Sequence, residues 1–185
     1  MRDERAPEGS GSPIMTRPAF QELWIEWMPR AVAYCRAFSG LSTEEREDLA
    51  SEALLKAWSS RSRFDPTRPF APWFLAILRR LVLDHLARRR ELIECGQDLV
   101  EDAPSRSREA EDHALREAET DFVRRFVEKL PERDREIASL VYGQGLAVAE
   151  AARIARMPTG SVKWRMYEVR KALRLAWEAE YGQRS

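Results

Sequence analysis

Cationic, hydroxyl and aromatic side chains are concentrated near the C-terminal end of the chain, between positions 159 and 171. Amines and guanidinium groups bind phosphate oxygens and base edges, while hydroxyl and apolar groups add further contacts to the bases. These residue types therefore predict contacts with duplex DNA. The candidate residues are Thr159, Ser161, Lys163, Trp164, Arg165, Tyr167, Arg170 and Lys171.

The apolar residues of the same stretch have the spacing of a helix. An alanine-rich amphipathic segment, 148–155, precedes them, and Pro158 suits the start of a second helix. Two helices joined by a tight turn form a helix-turn-helix, whose second helix can lie in the DNA major groove. An ordinary helical hairpin with a solvated basic face is the alternative. Four apolar residues share one face of the second helix, namely Val162, Met166, Val169 and Leu173.

A second candidate site is a loop, predicted from its three prolines at Arg61 to Pro72. Aromatic rings stack on unpaired bases and arginines neutralise the adjacent phosphates, so a mixture of the two suits single-stranded nucleic acid. Packing of the rings into the core is the alternative for both phenylalanines. The cations and rings of this loop are Arg61, Arg63, Phe64, Arg68 and Phe70.

The loop leads into a long predicted helix, Trp73 to Arg90, whose polar residues extend the candidate single-strand site. The arginine run at 88–90 also suits a helix C-terminus, where cations interact favourably with the helix dipole, and we expect both roles. The polar residues of this helix are Arg79, Arg80, Asp84, Arg88 and Arg89.

Charge is segregated along the chain, although the formal net charge is zero. Residues 61–90 contain eight arginines and two aspartates, whereas residues 91–121 contain eleven acidic residues and three arginines. Two basic modules separated by an acidic linker account for this order, and such modules suit contacts with DNA.

Composition and motifs argue against several other classes of protein. Cys35 and Cys95 lack the spacing of a zinc site or a disulfide framework, so we expect free thiols. Without a bilayer-length apolar run or a signal-peptide pattern, the protein is expected to be soluble and cytoplasmic. The sequence contains no glycine-rich phosphate loop, HExxH motif or GxSxG motif. We therefore predict no enzymatic activity, no cofactor and no metal site.

Helical periodicity recurs along the chain and strand-like alternation does not, so the predicted fold class is all-α, with two small helical domains. Pro29 interrupts the first helical segment and predicts either a kink or two helices. We expect a disordered tail at 1–17, a helical bundle at 18–92, a flexible acidic linker at 93–108 and a second helical unit at 109–180.

Taken together, the two halves resemble an extracytoplasmic-function sigma factor, the smallest kind of bacterial sigma subunit, which gives core RNA polymerase its promoter specificity. The segments EDLASEALLKAW and RFDPTRPFAPWFLAILRRLVLDHLARRR resemble region 2 of that family. The segments LPERDREIASLVYGQGL and MPTGSVKWR resemble region 4. The resemblance covers about Phe20 to Trp177 in the family's order. Arg156 departs from it, because the family usually has glycine in this turn.

The resemblance implies a transcription initiation factor that acts with core RNA polymerase. Region 2 of such proteins melts the minus-ten promoter element and holds a flipped base, which matches the loop Phe64 to Pro72 and the polar face of the next helix. Region 4 reads the minus-thirty-five element as duplex, with Arg165 and Lys171 matching phosphate contacts. Region 2 also binds the polymerase clamp helices, and the matching residues are Asp48, Leu49, Glu52 and Leu55.

The implied partners are core RNA polymerase, through its largest-subunit clamp helices and its flap region, promoter DNA, and an anti-sigma factor that holds the protein inactive. A stand-alone helix-turn-helix regulator is the alternative function. That alternative predicts tight duplex binding without polymerase, usually at a two-fold half-site. The arginine and aromatic loop and the lack of an obvious dimer seam argue against it.

Overall fold

The computed structural model describes residues 16–95 and 114–182, with side chains from position 119 onward in the second range. These ranges contain seven α-helices and no strand, which confirms the all-α prediction. The helices are α1 (Arg17–Cys35), α2 (Thr43–Ser59), α3 (Phe70–Glu94), α4 (Ala114–Glu128), α5 (Glu132–Ala138), α6 (Val148–Ala155) and α7 (Thr159–Tyr181).

The N-terminal half consists of α1, α2 and α3, and each helix packs against the next. Pro29 lies inside the single helix α1 instead of separating two helices. Proline removes the hydrogen bond to the carbonyl four residues earlier, which belongs here to Ile25. Ile25 and Pro29 are both exposed, so water can bind that carbonyl and the helix continues.

A capping box starts α2. The Glu45 amide donates to Ser42 Oγ at 3.1 Å, and the Ser42 amide donates to the Glu45 carboxylate at 2.7 Å. Ser42 is therefore the N-cap of α2. Burial alone raises the pKa of the Glu45 carboxyl, but the Ser42 amide, His85 and Arg89 together lower that pKa below its usual value. The same carboxylate thus connects the start of α2 to α3.

The C-terminal half consists of α4 to α7. A π-helical turn, Ser139–Gly143, extends α5, and Gly145 then adopts a positive φ of 71°. The helical segment therefore ends at Gly143, and the chain turns at Gly145. After α6, Arg156 adopts the left-handed conformation with φ 53° and ψ 51°, and α7 begins three residues later.

One buried hydrophobic cluster spans the two halves. From the N-terminal half it contains residues such as Trp27, Phe38, Leu54, Phe74 and Leu78. Because α6 packs directly against α3, residues of the C-terminal half complete this cluster. They are Leu140, Leu146, Ala151, Ile154 and Ala155.

The predicted tail at 1–17 and the predicted linker at 93–108 lie almost wholly outside the described residues. Where they overlap the described ranges, Arg17 begins α1 and positions 93 and 94 belong to α3. The start predicted for the second unit at 109 also lies outside these ranges. Within them, no helix combines the length and apolar character needed to span a membrane.

Replacing Arg156 by glycine should raise the free energy of unfolding by about 1 kcal/mol. Left-handed backbone costs an L-residue about 1–2 kcal/mol, and the greater freedom of glycine in the unfolded chain offsets part of the gain. Thermal unfolding followed by circular dichroism measures the change. Arg156→Ala is the matched control, because it removes the same side chain but keeps Cβ. Equal stability of the two variants would contradict the prediction.

Candidate nucleic-acid interface

Helix α7 buries one face and leaves its cationic and aromatic face in solvent. Val162, Met166 and Val169 are buried as their spacing predicts, and Leu173 is half-buried. Exposed aromatic side chains that share one helix face form an apolar patch, and such patches mark candidate interaction surfaces. Trp164 is 61% exposed and Tyr167 is 57% exposed. Ser161 is half-buried, and the remaining exposed candidates of this face are Thr159, Lys163, Arg170 and Lys171.

The turn before α7 fixes the direction of that face. The Met157 amide donates to the Ala152 carbonyl at 2.9 Å, which closes the end of α6. Ala152 also packs with Val162 and Ile137 in a second buried cluster, so α7 is anchored on both α5 and α6. The arrangement is a helix-turn-helix with its exposed side on the second helix.

Arg165 is half-buried beside the exposed face, and its phosphate contact stays a prediction. Its Nη1 atom lies 2.7 Å from Asp134 Oδ1, and the arginine side chain is only 29% exposed. A carboxylate at this distance neutralises the guanidinium, so the pair holds α7 against α5. Arg170 differs, because it is exposed and its Nη1 atom lies 3.5 Å from the hydroxyl of exposed Tyr142.

The loop between α2 and α3 presents its arginines to solvent. A single 3-10 turn, Arg61–Arg63, starts the loop, and the Arg61 guanidinium lies 4.3 Å from the centre of the Trp58 ring. Arg68 pairs with Asp65 at 3.2 Å. Hydrogen bonds from Thr67 lower the pKa of the exposed Asp65 carboxyl. The three predicted arginines of the loop are therefore accessible.

The two phenylalanines of this loop pack into the protein, which favours core packing over base stacking as the explanation of their position. Phe64 is 6% exposed, and its ring lies 5.0 Å from Trp73 and 5.9 Å from Phe70. Phe70 in turn stacks on Phe74 at 5.4 Å. Phe64 is buried and Phe70 is half-buried, because each ring fills space beside the first turn of α3.

The exposed polar residues of α3 extend the cationic surface of the loop. Arg80 and Arg88 are exposed, and Arg80 Nε lies 3.6 Å from Asp84 Oδ2. Arg89 is half-buried and its guanidinium is used in contacts within the protein. It donates to the Gly40 carbonyl and pairs with Glu45 at 3.2 Å. Of the predicted arginines at the end of α3, Arg88 is therefore more accessible than Arg89.

Arg79 is buried between the two halves, which corrects its predicted place on the single-strand surface. Its side chain is 7% exposed, and its Nε atom lies 2.5 Å from Glu136 Oε1 on α5. Tyr34 also donates to this carboxylate oxygen, at 3.3 Å. Burial raises the pKa of Tyr34 well above its usual value, and Glu136 raises it further, so the hydroxyl remains a neutral donor.

Three of the four predicted polymerase-binding residues form an exposed face of α2. Asp48 and Glu52 are exposed, and the Leu55 side chain is 58% exposed. Leu49 is 5% exposed and belongs to the hydrophobic core, which corrects its predicted role. It occupies the same helix face as buried Ala53 because the two residues are four apart.

Sequence reasoning missed Glu136 and Tyr34, since neither a motif nor local spacing marks them. The signal that the sequence offers is weak: Glu136 directly precedes the apolar residues Ile137 and Ala138. The described residues contain no group of three or more His, Cys, Asp or Glu side chains that could hold a metal ion.

Comparison with known proteins agrees with this geometry. The family described as Sigma-70 region 2 matches residues 23–91. The ECF RNA polymerase sigma factor SigF of Caulobacter vibrioides is 30% identical over 145 residues, which cover 76% of this chain and 74% of SigF. The chain belongs to the ECF sigma factors. In this family name, ECF stands for extracytoplasmic function.

Two further comparisons concern part of a longer relative and the fold. The ECF sigma factor BldN of Streptomyces coelicolor is 32% identical over 128 residues, and the chain spans only 48% of BldN. The sigma factor RpoE of Bartonella quintana, solved in complex with the anti-sigma factor NepR, matches 86% of this chain and 96% of its own. Its TM-score is 0.67 at 22% identity, so this similarity concerns the fold.

Phe64→Ala should lower the free energy of unfolding by about 3 kcal/mol, because it removes a buried ring and leaves a cavity. Urea unfolding followed by circular dichroism measures the loss. Arg63→Ala is the matched control from the same loop, and since Arg63 is exposed it should change stability by less than about 0.5 kcal/mol. Equal stabilities of the two variants would show that Phe64 is dispensable for packing.

Proposed function

We propose that this ECF sigma factor binds core RNA polymerase and directs it to promoters, melting the minus-ten element and reading the minus-thirty-five element. The observation that carries the DNA-binding part is the exposed cationic and aromatic face of α7 at the end of a helix-turn-helix. In this proposal residues 18–92 act as region 2, residues 109–180 act as region 4, and residues 93–108 connect them.

In region 4, α7 enters the major groove of the minus-thirty-five element. Trp164 and Tyr167 supply apolar and hydroxyl contacts to base edges, and Lys163 and Arg170 supply hydrogen-bond donors. Lys171, one position beyond Arg170, contacts phosphate. The exposure of these side chains supports this assignment, because none of them needs to leave the core to reach DNA. Thr159 and Ser161 lie in the first turn of α7. The N-terminal end of a helix suits contact with phosphates, so we assign these two residues to the DNA backbone.

In region 2, the exposed arginines around the loop and α3 bind the melted minus-ten strand. Arg61, Arg63 and Arg68 neutralise phosphates beside the loop, and Arg80 and Arg88 continue the contact along α3. The Arg61 guanidinium over Trp58 offers a flat surface on which an unpaired base can stack. Because Phe64 and Phe70 are packed inside, we assign them the role of supporting this loop.

The exposed face of α2 that contains Asp48, Glu52 and Leu55 is the proposed contact with the clamp helices of polymerase. Two carboxylates beside an apolar side chain suit a partner surface that combines cations with apolar groups. RpoE of Bartonella quintana was solved with an anti-sigma factor. We extend the same kind of partner to this protein, as its regulator.

The function is tested by run-off transcription on a genomic fragment library with purified protein and bacterial core RNA polymerase. Defined transcripts should require both components, because a sigma factor supplies specificity and the polymerase supplies synthesis. Control reactions omit one component at a time. Duplex DNA binding by the protein alone, with no gain from polymerase, would favour the stand-alone regulator.

Two arginine variants separate promoter melting from duplex recognition. Arg80→Ala should reduce initiation about tenfold on duplex templates and less on templates already melted at the minus-ten element, because loss of one strand contact weakens melting by about 1–3 kcal/mol. Arg170→Ala should reduce initiation equally on both templates, since the minus-thirty-five element is duplex in each. Exposed Arg124 on α4 provides a control, Arg124→Ala. Equal losses for Arg80→Ala on the two templates would refute its role in melting.

A further inference from the structure

Three arginines form a cluster beside the C-terminal end of α1, outside the surfaces assigned to DNA and polymerase. Arg36 directly follows α1 and is exposed, whereas Arg46 on α2 and Arg135 on α5 are half-buried. The Arg135 Nε atom donates to the Ala37 carbonyl at 2.8 Å, which places α5 against the end of α1. The charges of Arg36 and Arg135 both act on Arg46. Three like charges therefore lie where three helices meet.

This arginine cluster has no carboxylate partner of its own in the described part of the chain. Across residues 16–95 and 119–182, no carboxylate oxygen lies within 4.0 Å of a guanidinium nitrogen of the cluster. Two acidic residues close by have other partners. Glu45 caps α2 and pairs with His85 and Arg89, and Glu132 accepts from the Ser39 amide at 3.1 Å. The cluster thus keeps a net positive charge.

The Arg46 side chain shows most directly that an anion is needed here. Its Nε atom is buried, and no described atom accepts a hydrogen bond from it. Burial lowers the pKa of Arg46, and the guanidinium groups of Arg36 and Arg135 lower it further, while Cys35 and Glu45 act in the opposite direction. Like charges placed together disfavour the charged form unless an opposite charge joins them. An anion bound here would therefore relieve an unfavourable arrangement.

The Arg135 side chain is held in a fixed orientation and still has donors to offer. Each of its three nitrogen atoms donates once, to the carbonyls of Ala37 and Glu128 and to Ser39 Oγ. A guanidinium has five N–H groups, so one donor on each Nη atom remains for a ligand. Because the orientation is already fixed, a ligand does not have to order this side chain when it binds.

The chemistry of the arginine cluster favours phosphate as its ligand. Guanidinium groups bind phosphate oxygens through short, charge-assisted hydrogen bonds, often two in parallel. A terminal phosphate carries close to two negative charges and has three strong acceptor oxygens, so it can bind more than one arginine at once. A carboxylate has one charge and two oxygens and would neutralise the cluster less completely.

We propose that Arg36, Arg46 and Arg135 form a binding site for a phosphate group. The group can belong to a small phosphorylated molecule or to the backbone of a bound DNA strand, and the experiment below distinguishes these two sources. Once bound, it joins the end of α1 to α2 and α5. The site does not depend on the proposed function, because none of its three arginines is assigned to promoter recognition or to polymerase.

The test measures binding of inorganic pyrophosphate to the full-length protein by isothermal titration calorimetry. Pyrophosphate supplies terminal phosphate groups without a base or a sugar, and sodium chloride keeps the ionic strength constant so that screening does not change. Arg46→Gln should weaken binding about tenfold or more, because hydrogen bonds to charged groups are lost. Arg124→Gln, which removes an exposed arginine of α4, is the matched control and should bind like the unmodified protein.

Absence of pyrophosphate binding, or equal affinities of Arg46→Gln and the unmodified protein, would overturn the proposal. If circular dichroism shows that Arg46→Gln has lost helix, Arg36→Gln takes its place, because Arg36 is exposed and its replacement leaves the core intact. It should weaken binding in the same way, and an unchanged affinity would again overturn the proposal.

A fluorescent 20-nucleotide single strand identifies the source of the phosphate group. If the group belongs to DNA, pyrophosphate should displace the strand from the unmodified protein, and Arg46→Gln should bind the strand more weakly. If it belongs to a small molecule, strand binding should be the same in Arg46→Gln, and only pyrophosphate binding should fall. Both readouts omit polymerase, so a failure of run-off transcription leaves this site standing, and a failure here leaves the sigma-factor function standing.

Discussion

A buried guanidinium needs an anion, and this constraint determines how the two halves of the protein pack. Arg79 lies on α3 between Leu75, Leu78 and Val82, all of which are fully buried. Leaving such a charge unpaired costs several kcal/mol, about 3–5 in comparable cases. Helix α5 must therefore place Glu136 beside it. Because α5 contacts both α6 and α7, the position of that one carboxylate also fixes the helix-turn-helix relative to α3.

Small side chains allow α6 to pack between α3 and α7. Ala151, Ala152 and Ala155 of α6 are buried, and they allow α6 to lie close to α3 on one side and α7 on the other. With its apolar face occupied in this way, α7 presents its cationic and aromatic face to solvent, where a partner can reach it. The orientation of the surface proposed to bind duplex DNA thus depends on the small side chains of α6.

Much of the fold could be predicted from the sequence, because helix formation depends on local spacing. The periodicity predicted the all-α class and the buried face of α7. At some positions local spacing did not decide whether a side chain points into the core or into solvent. Leu49 fits either a surface or a core position on α2, and the Phe64 ring could be placed only once its neighbours around α3 were known. Two candidate arginines form ion pairs with residues far away in sequence, Arg79 with Glu136 and Arg165 with Asp134. No local sequence pattern predicts such pairs.

Because the chain is synthesised from its N-terminus, the two parts of the shared hydrophobic cluster become available at different times. Helices α1 to α3 can pack together as soon as they leave the ribosome, since their contacts lie within one segment. The partners of Arg79 and Tyr34 at Glu136 are 57 and 102 residues away in sequence, so they emerge later. At about 5–20 residues per second, the roughly 60 residues between the ends of α3 and α6 require roughly 3–12 s. During that interval the nascent N-terminal half has its α6-binding surface uncovered, so chaperones can reach apolar side chains that α6 later covers.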